Sequence, residues 1–313
     1  MRVATRILDR GSLAGSSGAP EKVDEVVLFD TPSTAPLPFS DPRVKVVRGD
    51  ISDRETVKRL VDRPDMSVFH LASVVSGGAE LDFDLAMRVN LDGHLHLLEA
   101  LRALKSRPRH IFASSIAVYG GTQIPNPVME STRQNPQTTY GMTKSVGELL
   151  VNDYARKGFV DGRSARLPAV IVRPGAPNKA ASSFVSGIIR EPLNGVDIPL
   201  PVGLDTTMAV AGYRTVAENL IELHDVDAAK LLDDRAINLP SRTVSLAEMA
   251  GSLKRVSGSR TLGKISVASD PFVEKIVAGW PLGLDAARAK SLGLTQAADL
   301  DTVIGEYIAD YLK

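Results

Sequence analysis

Residues 110–120 read HIFASSIAVYG, and residues 140–144, a short distance later, read YGMTK. The first stretch is typical of a buried strand that ends in two serines. The second places Tyr140 and Lys144 four residues apart, so that both would share one face of a helix. The carboxyl end of a strand is where open α/β sheets present ligand-binding residues. These two stretches therefore predict a parallel α/β sheet with a functional site at the end of strand 110–115.

Short apolar runs alternate with helical patterns on both sides of this stretch. That alternation predicts βαβ units and a parallel sheet covered on both faces, a Rossmann-type doubly wound fold. The predicted strands are 23–30, 43–51, 67–72, 110–115 and 164–173. The predicted helices of this half are 53–63, 82–104 and 138–156.

The pattern changes after Gly175, where a smaller and mostly helical domain is expected. We therefore predict a nucleotide-binding domain over 1–175 and a substrate domain over 176–313. Residues 236–240 are a candidate strand that returns to the first sheet. The predicted helices of the second domain are 180–190, 213–224, 245–256, 270–279, 284–291 and 299–312.

Composition excludes several classes of function. Lys+Arg and Asp+Glu both number 37, so no basic field attracts nucleic acid or a membrane surface. The absence of cysteine excludes disulfides and thiol chemistry, and it fits a cytoplasmic location. No apolar run is long enough for a membrane span. His94 and His96 are two apart on a helix and the other histidines are isolated in sequence, so we expect structural roles and no metal site.

Tyr140 and Lys144 also suggest a chemistry. A nearby ammonium group lowers the pKa of a phenol, and such a tyrosine can exchange a proton with an alcohol while hydride moves to or from a nicotinamide. Two alternatives stay open on spacing alone. Lys144 could be a solvated lysine on a surface helix, and the serines at 114–115 could only satisfy a turn.

The ordered set of motifs resembles the extended short-chain dehydrogenase/reductase superfamily, which includes nucleotide-sugar epimerases and dehydratases. The resemblance covers nearly the whole chain and implies catalytic roles for Ser115, Tyr140 and Lys144. Ser115 would orient the substrate oxygen, Tyr140 would be the acid/base, and Lys144 would hold the cofactor ribose. The cofactor implied is NAD, with these binding residues: Asp30, Asp50, Ile51, Leu71, Ala72, Ser73, Asn90, Tyr140, Lys144 and Pro174. An acid at the end of the second strand, Asp30, favours NAD over NADP.

Residues 75–84, 177–184 and 279–281 resemble a narrower group that oxidises sugar acids. That resemblance implies NAD-dependent oxidation of the C2 hydroxyl of a four-carbon sugar acid such as D-erythronate. Substrate contacts are then expected from Ser76, Ser115, Arg173, Asn178 and Lys179. Arg190 is expected on a solvated helix face. Residues 205–214 depart from the group by lacking the arginine and the tryptophan that its members carry near positions 207–209, which leaves the identity of the substrate open.

The start of the chain departs from the resemblance. This fold opens with a strand and a glycine-rich turn that holds the pyrophosphate, yet the chain opens MRVATRILDRGSLAG, which resembles the helix after that turn. Gly11, Gly15 and Gly18 are interpreted as a helix end and loop. The first strand and the glycine-rich loop are therefore expected to be missing. Three explanations are open: the sequence is incomplete, it contains only the ordered residues of a longer chain, or the protein is a shortened paralogue. The first is favoured.

Three functions follow from these observations. The first is the sugar-acid dehydrogenase. The second is a nucleotide-sugar epimerase or dehydratase on the same scaffold, and the third is a non-catalytic or inactive paralogue. Helices 82–104 and 138–156 are predicted to pair two copies into a homodimer.

Overall fold

A computed structural model of the protein describes residues 1–32, 40–175 and 181–312. The strands are β1 Ser12–Ala14, β2 Pro20–Lys22, β3 Val26–Asp30, β4 Val44–Arg48, β5 Ser67–His70, β6 Arg109–Ser115, β7 Asp161–Leu167, β8 Ala169–Ile171, β9 Ile198–Leu200, β10 Thr207–Gly212, β11 Ala236–Asn238, β12 Arg242–Ser245 and β13 Ile265–Val267. The α-helices are α1 Arg2–Arg10, α2 Arg54–Leu60, α3 Ser76–Leu81, α4 Phe83–Ala86, α5 Gly93–Ala103, α6 Thr139–Arg156, α7 Ser183–Leu193, α8 Tyr213–Asp225, α9 Leu246–Val256, α10 Pro271–Val277, α11 Ala287–Ser291 and α12 Leu300–Tyr311.

The centre of the protein is a parallel four-stranded sheet in the order β11-β7-β6-β5. Helices follow its strands in sequence, and nearly every residue of β6, β7 and β11 is buried because both faces of the sheet are covered. Ile111, Ala165 and Ile237 are fully buried at its centre. The prediction of an α/β fold with a parallel sheet is thereby confirmed.

A second parallel sheet consists of β3 and β4 alone. Within the described ranges, no strand hydrogen-bonds both to this pair and to the four-stranded sheet. Helix α1 ends at Gly11, whose φ of 68° is the left-handed conformation that glycine adopts most readily. Gly15 and Gly18 lie in the connection between the antiparallel strands β1 and β2. As predicted, these glycines form a helix end and a loop.

The prediction of a single strand over 164–173 is wrong. Pro168 separates β7 from β8, and the two strands belong to different sheets. β7 pairs with β6, whereas β8 pairs in parallel with β10 in a three-stranded sheet whose other neighbour is β12. Proline has no N–H to donate to a strand ladder, which explains why pairing changes at this residue.

The helix predicted over 82–104 forms as one continuous helical run, and it contains a feature that the sequence did not predict. The chain passes from α4 through a π-helical turn over Met87–Asp92 into α5 without leaving the helical conformation. Asn90 lies in this turn with its side chain buried against the backbone of Val74. Wide turns of this kind are frequent at functional sites.

The second half of the chain also packs on the sheet through buried charge. Arg163 is fully buried and donates to the carbonyl oxygens of Leu223 and Val226 at 2.7 Å, where α8 ends. Arg109 donates to the carbonyl of His224 beside them. The terminal carbonyls of a helix lack partners of their own and carry partial negative charge. The two arginines of the sheet therefore hold the end of α8 in place.

One carboxylate serves this arginine cluster. The Oδ atoms of Asp161 lie 2.5 Å from the Arg163 guanidinium and 2.6 Å from that of Arg235, and 3.7 Å from Nε of Arg109. Because Asp161 neutralises one of three buried charges, the cluster depends on it.

No helix among the described residues is long and apolar enough to cross a bilayer.

Candidate active site

The structure brings Ser115, Tyr140 and Lys144 together at the carboxyl end of β6. Helix α6 begins beside this strand end, where the Thr138 side chain accepts a hydrogen bond from the Gly141 N–H. Lys144 Nζ donates to the carbonyl of Ala113 at 2.8 Å and lies 5.4 Å from the centre of the Tyr140 ring. The Ser115 side chain lies close enough to the Tyr140 hydroxyl to lower the pKa of the phenol. One strand end and one helix turn thus present all three side chains.

Gly141 explains how closely α6 approaches the strand end. A Cβ atom built on Gly141 would lie 2.1 Å from the carbonyl oxygen of Ala117, in the turn that follows β6. No side chain fits at that distance, so glycine after Tyr140 is a packing requirement. It brings Tyr140 to the end of β6 that carries Ser115.

Burial is the largest influence on the pKa values of Lys144 and Tyr140. Lys144 is 3% exposed, and its burial lowers the pKa of its ammonium group to about 7. Burial raises the pKa of Tyr140, while the side chain of Ser115 and the positive charge of Arg173 act in the opposite direction.

A buried polar network continues behind the site and was not predicted from the sequence. Glu148 accepts hydrogen bonds from Ser114 Oγ at 2.5 Å and from Arg166 at 2.7 to 3.1 Å. Arg166 also donates to the Tyr119 hydroxyl at 2.6 Å. A single spacing signal was available, since Glu148 follows Lys144 by four residues on α6. Its partners come from other strands and could not be read from that spacing.

Asn90 was expected among the cofactor-binding residues, and its side chain is engaged within the protein. Its Oδ1 accepts from the Val74 N–H at 2.7 Å, and its Nδ2 donates to the Val74 carbonyl at 3.0 Å and to Thr143 Oγ1 at 3.2 Å. Asn90 therefore ties the segment after β5 to α6, one residue before Lys144.

The other expected cofactor residues lie at or just after the carboxyl ends of four strands, β3, β4, β5 and β8. Asp30 ends β3 and accepts from the Thr31 N–H at 2.7 Å, while Asp50 follows β4 and accepts from the Ser52 N–H at 2.8 Å. Both carboxylates belong to exposed residues. The remaining positions are the buried Ile51, the partly buried Ser73 and the exposed Leu71, Ala72 and Pro174.

This set fits parts of a dinucleotide. Exposed carboxylates at strand ends suit the ribose hydroxyls of an adenosine, and Lys144 with Tyr140 suits the nicotinamide end. The glycine-rich turn that carries the pyrophosphate in this fold is not formed by Gly11, Gly15 or Gly18, which lie at a helix end and in a hairpin.

The expected substrate residues are only partly described. Ser76 Oγ accepts from the Ala181 N–H at 3.1 Å. Arg173 donates through Nη2 to the Ser182 carbonyl at 3.1 Å, and its positive charge acts on Tyr140. Asn178 and Lys179 lie outside the described residues.

The expectation that Arg190 lies on a solvated face is wrong. Arg190 is 4% exposed, lies 2.5 Å from the carboxylate of Glu191, and donates to the Arg173 carbonyl at 2.8 Å. It is buried because α7 packs this face onto the strand that precedes Arg173. Within the described ranges Arg173 has no acidic partner, so one uncompensated positive charge remains near Tyr140.

His70 and His110 are isolated in sequence, but the fold brings both of them to His94. Nε2 of His94 lies 3.0 Å from Nε2 of His110, and the His70 ring lies 4.7 Å from that of His94 between ring centres. All three histidines are buried, and burial lowers the pKa of each, to about 3 for His110. They meet because β5, β6 and α5 pack together. No group of acidic, histidine or cysteine side chains that could hold a metal ion occurs in the described part of the chain.

Comparison with known proteins gives consistent results. The model of the NAD dependent epimerase/dehydratase family matches residues 16–208. A D-erythronate dehydrogenase of Cupriavidus necator is 44% identical over 310 residues, which cover 99% of this chain and 94% of that protein. A D-erythronate dehydrogenase of Haemophilus influenzae is 38% identical, over 91% of this chain and 90% of that protein. Among solved structures, a nucleoside-diphosphate-sugar epimerase from Agrobacterium tumefaciens superimposes with a TM-score of 0.88 at 35% identity, over 99% of this chain and 90% of that one.

Proposed function

The chain belongs to the NAD dependent epimerase/dehydratase family, and from this premise we propose that it uses NAD to oxidise the C2 hydroxyl of a four-carbon sugar acid such as D-erythronate. The observation that carries the chemistry is the meeting of Ser115, Tyr140 and Lys144 at the end of β6. The substrate class is supported by the near full-length similarity to two proteins named D-erythronate dehydrogenase.

Tyr140 is the proposed base. The Ser115 side chain lies near the Tyr140 hydroxyl and acts on its pKa, so it can hold a substrate hydroxyl at the same place. The ammonium of Lys144 favours the phenolate of Tyr140. The phenolate then removes the hydroxyl proton of the substrate as its C2–H hydride departs. NAD, when bound, supplies the acceptor for that hydride.

The residues proposed to hold NAD are those at the strand ends. Asp30 would bind the adenosine ribose, with Asp50 and Ile51 beside the adenine. Lys144 would hold the nicotinamide ribose, and Leu71, Ala72, Ser73, Asn90 and Pro174 would line the path between them. Isothermal titration tests this step directly. Micromolar NAD binding by this chain supports the assignment, and undetectable binding at millimolar NAD contradicts it.

Arg173 is the proposed partner of the substrate carboxylate. It carries the uncompensated charge at the site, because Glu191 neutralises Arg190. Its guanidinium also acts electrostatically on Tyr140, so a carboxylate on Arg173 would lie near the reacting hydroxyl. Ser76, Asn178 and Lys179 complete the proposed substrate contacts.

NADH formation from D-erythronate tests the whole proposal. We expect turnover by the wild type and its loss in Tyr140→Phe, which keeps the ring and removes the proton acceptor. Tyr154→Phe is the matched control, because Tyr154 lies on the same helix about four turns later and bonds to Glu99. Full activity in Tyr140→Phe would exclude Tyr140 as the base.

One observation favours a second candidate. The Agrobacterium structure, at 35% identity, is named a nucleoside-diphosphate-sugar epimerase. Conversion of a UDP-sugar without net NADH would support an epimerase, and inertness toward UDP-sugars together with NADH formation from D-erythronate would reject it. A chain that neither binds NAD nor turns over either substrate would support the third hypothesis, a non-catalytic paralogue.

We also propose a homodimer through the helices of 82–104 and 138–156. Large apolar side chains are exposed on and beside them, including Phe83 at 54% and Leu149 at 66%. Leu149→Glu should convert the dimer to a monomer in analytical ultracentrifugation. Leu232→Glu is the control, since Leu232 is equally exposed, at 73%, and lies elsewhere. A wild-type monomer at micromolar concentration would refute the proposal.

The proposed compartment is the cytoplasm.

A further inference from the structure

Glu148 is a buried carboxylate one helical turn beyond Lys144. It is 2% exposed, and every donor that reaches it comes from a different part of the chain. Ser114 Oγ donates from β6, Arg166 from β7, and Gln134 Nε2 at 2.5 Å from the segment before α6. A carboxylate held by this many donors has a fixed position.

Glu148 and Lys144 bind consecutive residues of the same strand end. Lys144 Nζ donates to the carbonyl of Ala113, and Glu148 accepts from the side chain of Ser114. The next residue is Ser115. Side chains four apart on a helix share one face, and the carboxylate acts electrostatically on the ammonium where α6 meets β6.

We propose that Glu148 is a positioning residue of the reaction, which keeps Lys144 in its ammonium form beside Tyr140 and fixes the strand end that carries Ser115. The proposal rests on the proposed function, because it takes Tyr140 as the base.

The electrostatic part of the role follows from the shared protonation of the pair. Burial lowers the pKa of Lys144 to about 7, and the charge of Glu148 raises it. Near neutral pH the pair can hold one proton either on Tyr140 or on Lys144. The negative charge of Glu148 favours the second arrangement, in which Tyr140 is a phenolate.

Other charged groups around Lys144 do not supply this effect. Arg166 and Arg173 are positive, and His70 and His94 are buried with pKa values lowered by burial. Glu148 is therefore the acidic group that favours a proton on Lys144. Its hydrogen bond to Ser114 also makes it part of the support for Ser115.

The variant Glu148→Gln tests the proposal, because it keeps the shape and removes the charge. A nearby opposite charge shifts a pKa by about 1 to 3 units, and Arg166 offsets part of the effect of Glu148. We therefore expect the acid limb of the kcat/KM profile for D-erythronate to move up by about one pH unit, with about tenfold lower activity below it. Asp161→Asn is the matched control, since it breaks a buried ion pair about 16 Å away along β7. Its pH profile should be that of the wild type.

Ultraviolet titration of tyrosinate gives a readout without substrate. The difference between the titrations of the wild type and Tyr140→Phe isolates Tyr140, and the same difference in the Glu148→Gln background should move to higher pH. If the wild type does not oxidise D-erythronate, the proposed function fails while this titration still decides the role of Glu148. An unmoved Tyr140 titration, or a uniform loss of activity at every pH, would overturn the inference.

Glu148→Gln leaves Arg166 buried without a counter-charge and risks failing to fold. The double variant Glu148→Gln/Arg166→Gln replaces the ion pair by two amides. It should shift the Tyr140 titration in the same direction by a smaller amount, and no shift in a folded double variant would equally overturn the role of Glu148.

Discussion

Acid should weaken this fold through His110. The imidazole is fully buried, and burial lowers its pKa from 6.5 to about 3. Below pH 6.5 the unfolded chain binds a proton at His110 while the folded chain does not. Stability rises with pH wherever the unfolded state binds more protons. The contribution of His110 is therefore complete above about pH 6.5 and is lost as the pH falls from about 6.5 to about 3.

The size of the effect follows from that window. Each pH unit inside it corresponds to about 1.4 kcal/mol for one group. Lowering the pH to 5 crosses about 1.5 units, so His110 alone should reduce the free energy of unfolding by about 2 kcal/mol. His94 and His70 act in the same direction, because burial lowers their pKa values as well.

Urea unfolding of the wild type and His110→Phe, at about pH 7.5 and pH 5, measures this contribution. Phenylalanine keeps a planar ring among the aromatic neighbours of the site, and it cannot take up a proton. The variant will be less stable at neutral pH because His94 loses its 3.0 Å contact. The informative quantity is therefore the change in the free energy of unfolding between about pH 7.5 and pH 5. This change should be about 2 kcal/mol smaller in the variant than in the wild type. An equal pH dependence in both proteins would refute the assignment of a neutral, buried His110.

Three further predictions concern packing and charge. Asp161→Asn removes the carboxylate of the buried arginine cluster. It should lower the free energy of unfolding by about 3 to 5 kcal/mol in urea titrations. A loss below about 1 kcal/mol would contradict the dependence of the cluster on Asp161. Gly141→Ala places a methyl group 2.1 Å from the Ala117 carbonyl oxygen. It should reduce turnover about 100-fold by displacing Tyr140, while the circular dichroism spectrum stays unchanged. Wild-type turnover in this variant would show that α6 need not approach β6 so closely. Gly11→Ala meets no neighbouring atom within 4 Å but keeps a φ of 68°, so it should cost only about 1 to 2 kcal/mol in thermal unfolding, and a larger loss would indicate a packing role for Gly11.

The features that could be predicted from sequence are those fixed by local spacing. The meeting of Tyr140 and Lys144 needs only one helical turn, and the position of Ser115 needs only the end of one apolar strand. The Pro168 break was visible in sequence, and it was missed because the apolar run on both sides looks continuous. Proline decides that case through its missing N–H rather than through hydropathy.

The features that could not be predicted depend on contacts between distant segments. The histidine cluster joins His94 and His110 only after β6 and α5 pack, and nothing in their spacing indicates it. Arg190 is polar and was expected in water, yet its partners are the next residue and a carbonyl 17 positions earlier. Burial of charge depends on which partner arrives, and that is a property of the tertiary structure.

The arginine cluster under α8 has a consequence for evolution and engineering. Arg109 and Arg163 belong to the strands of the central sheet, whereas the carbonyls that they hold belong to the second half of the chain. A chimera that joins this second half to the sheet of a relative inherits the carbonyls without their donors, unless both arginines and Asp161 are transferred with it. Drift should likewise change these positions jointly or not at all. Replacing Asp161 leaves buried guanidinium groups without a carboxylate, and replacing either arginine removes a donor from the carbonyls at the end of α8. A library that recombines the two halves should therefore recover active members mainly among crossovers that keep this set of three residues intact.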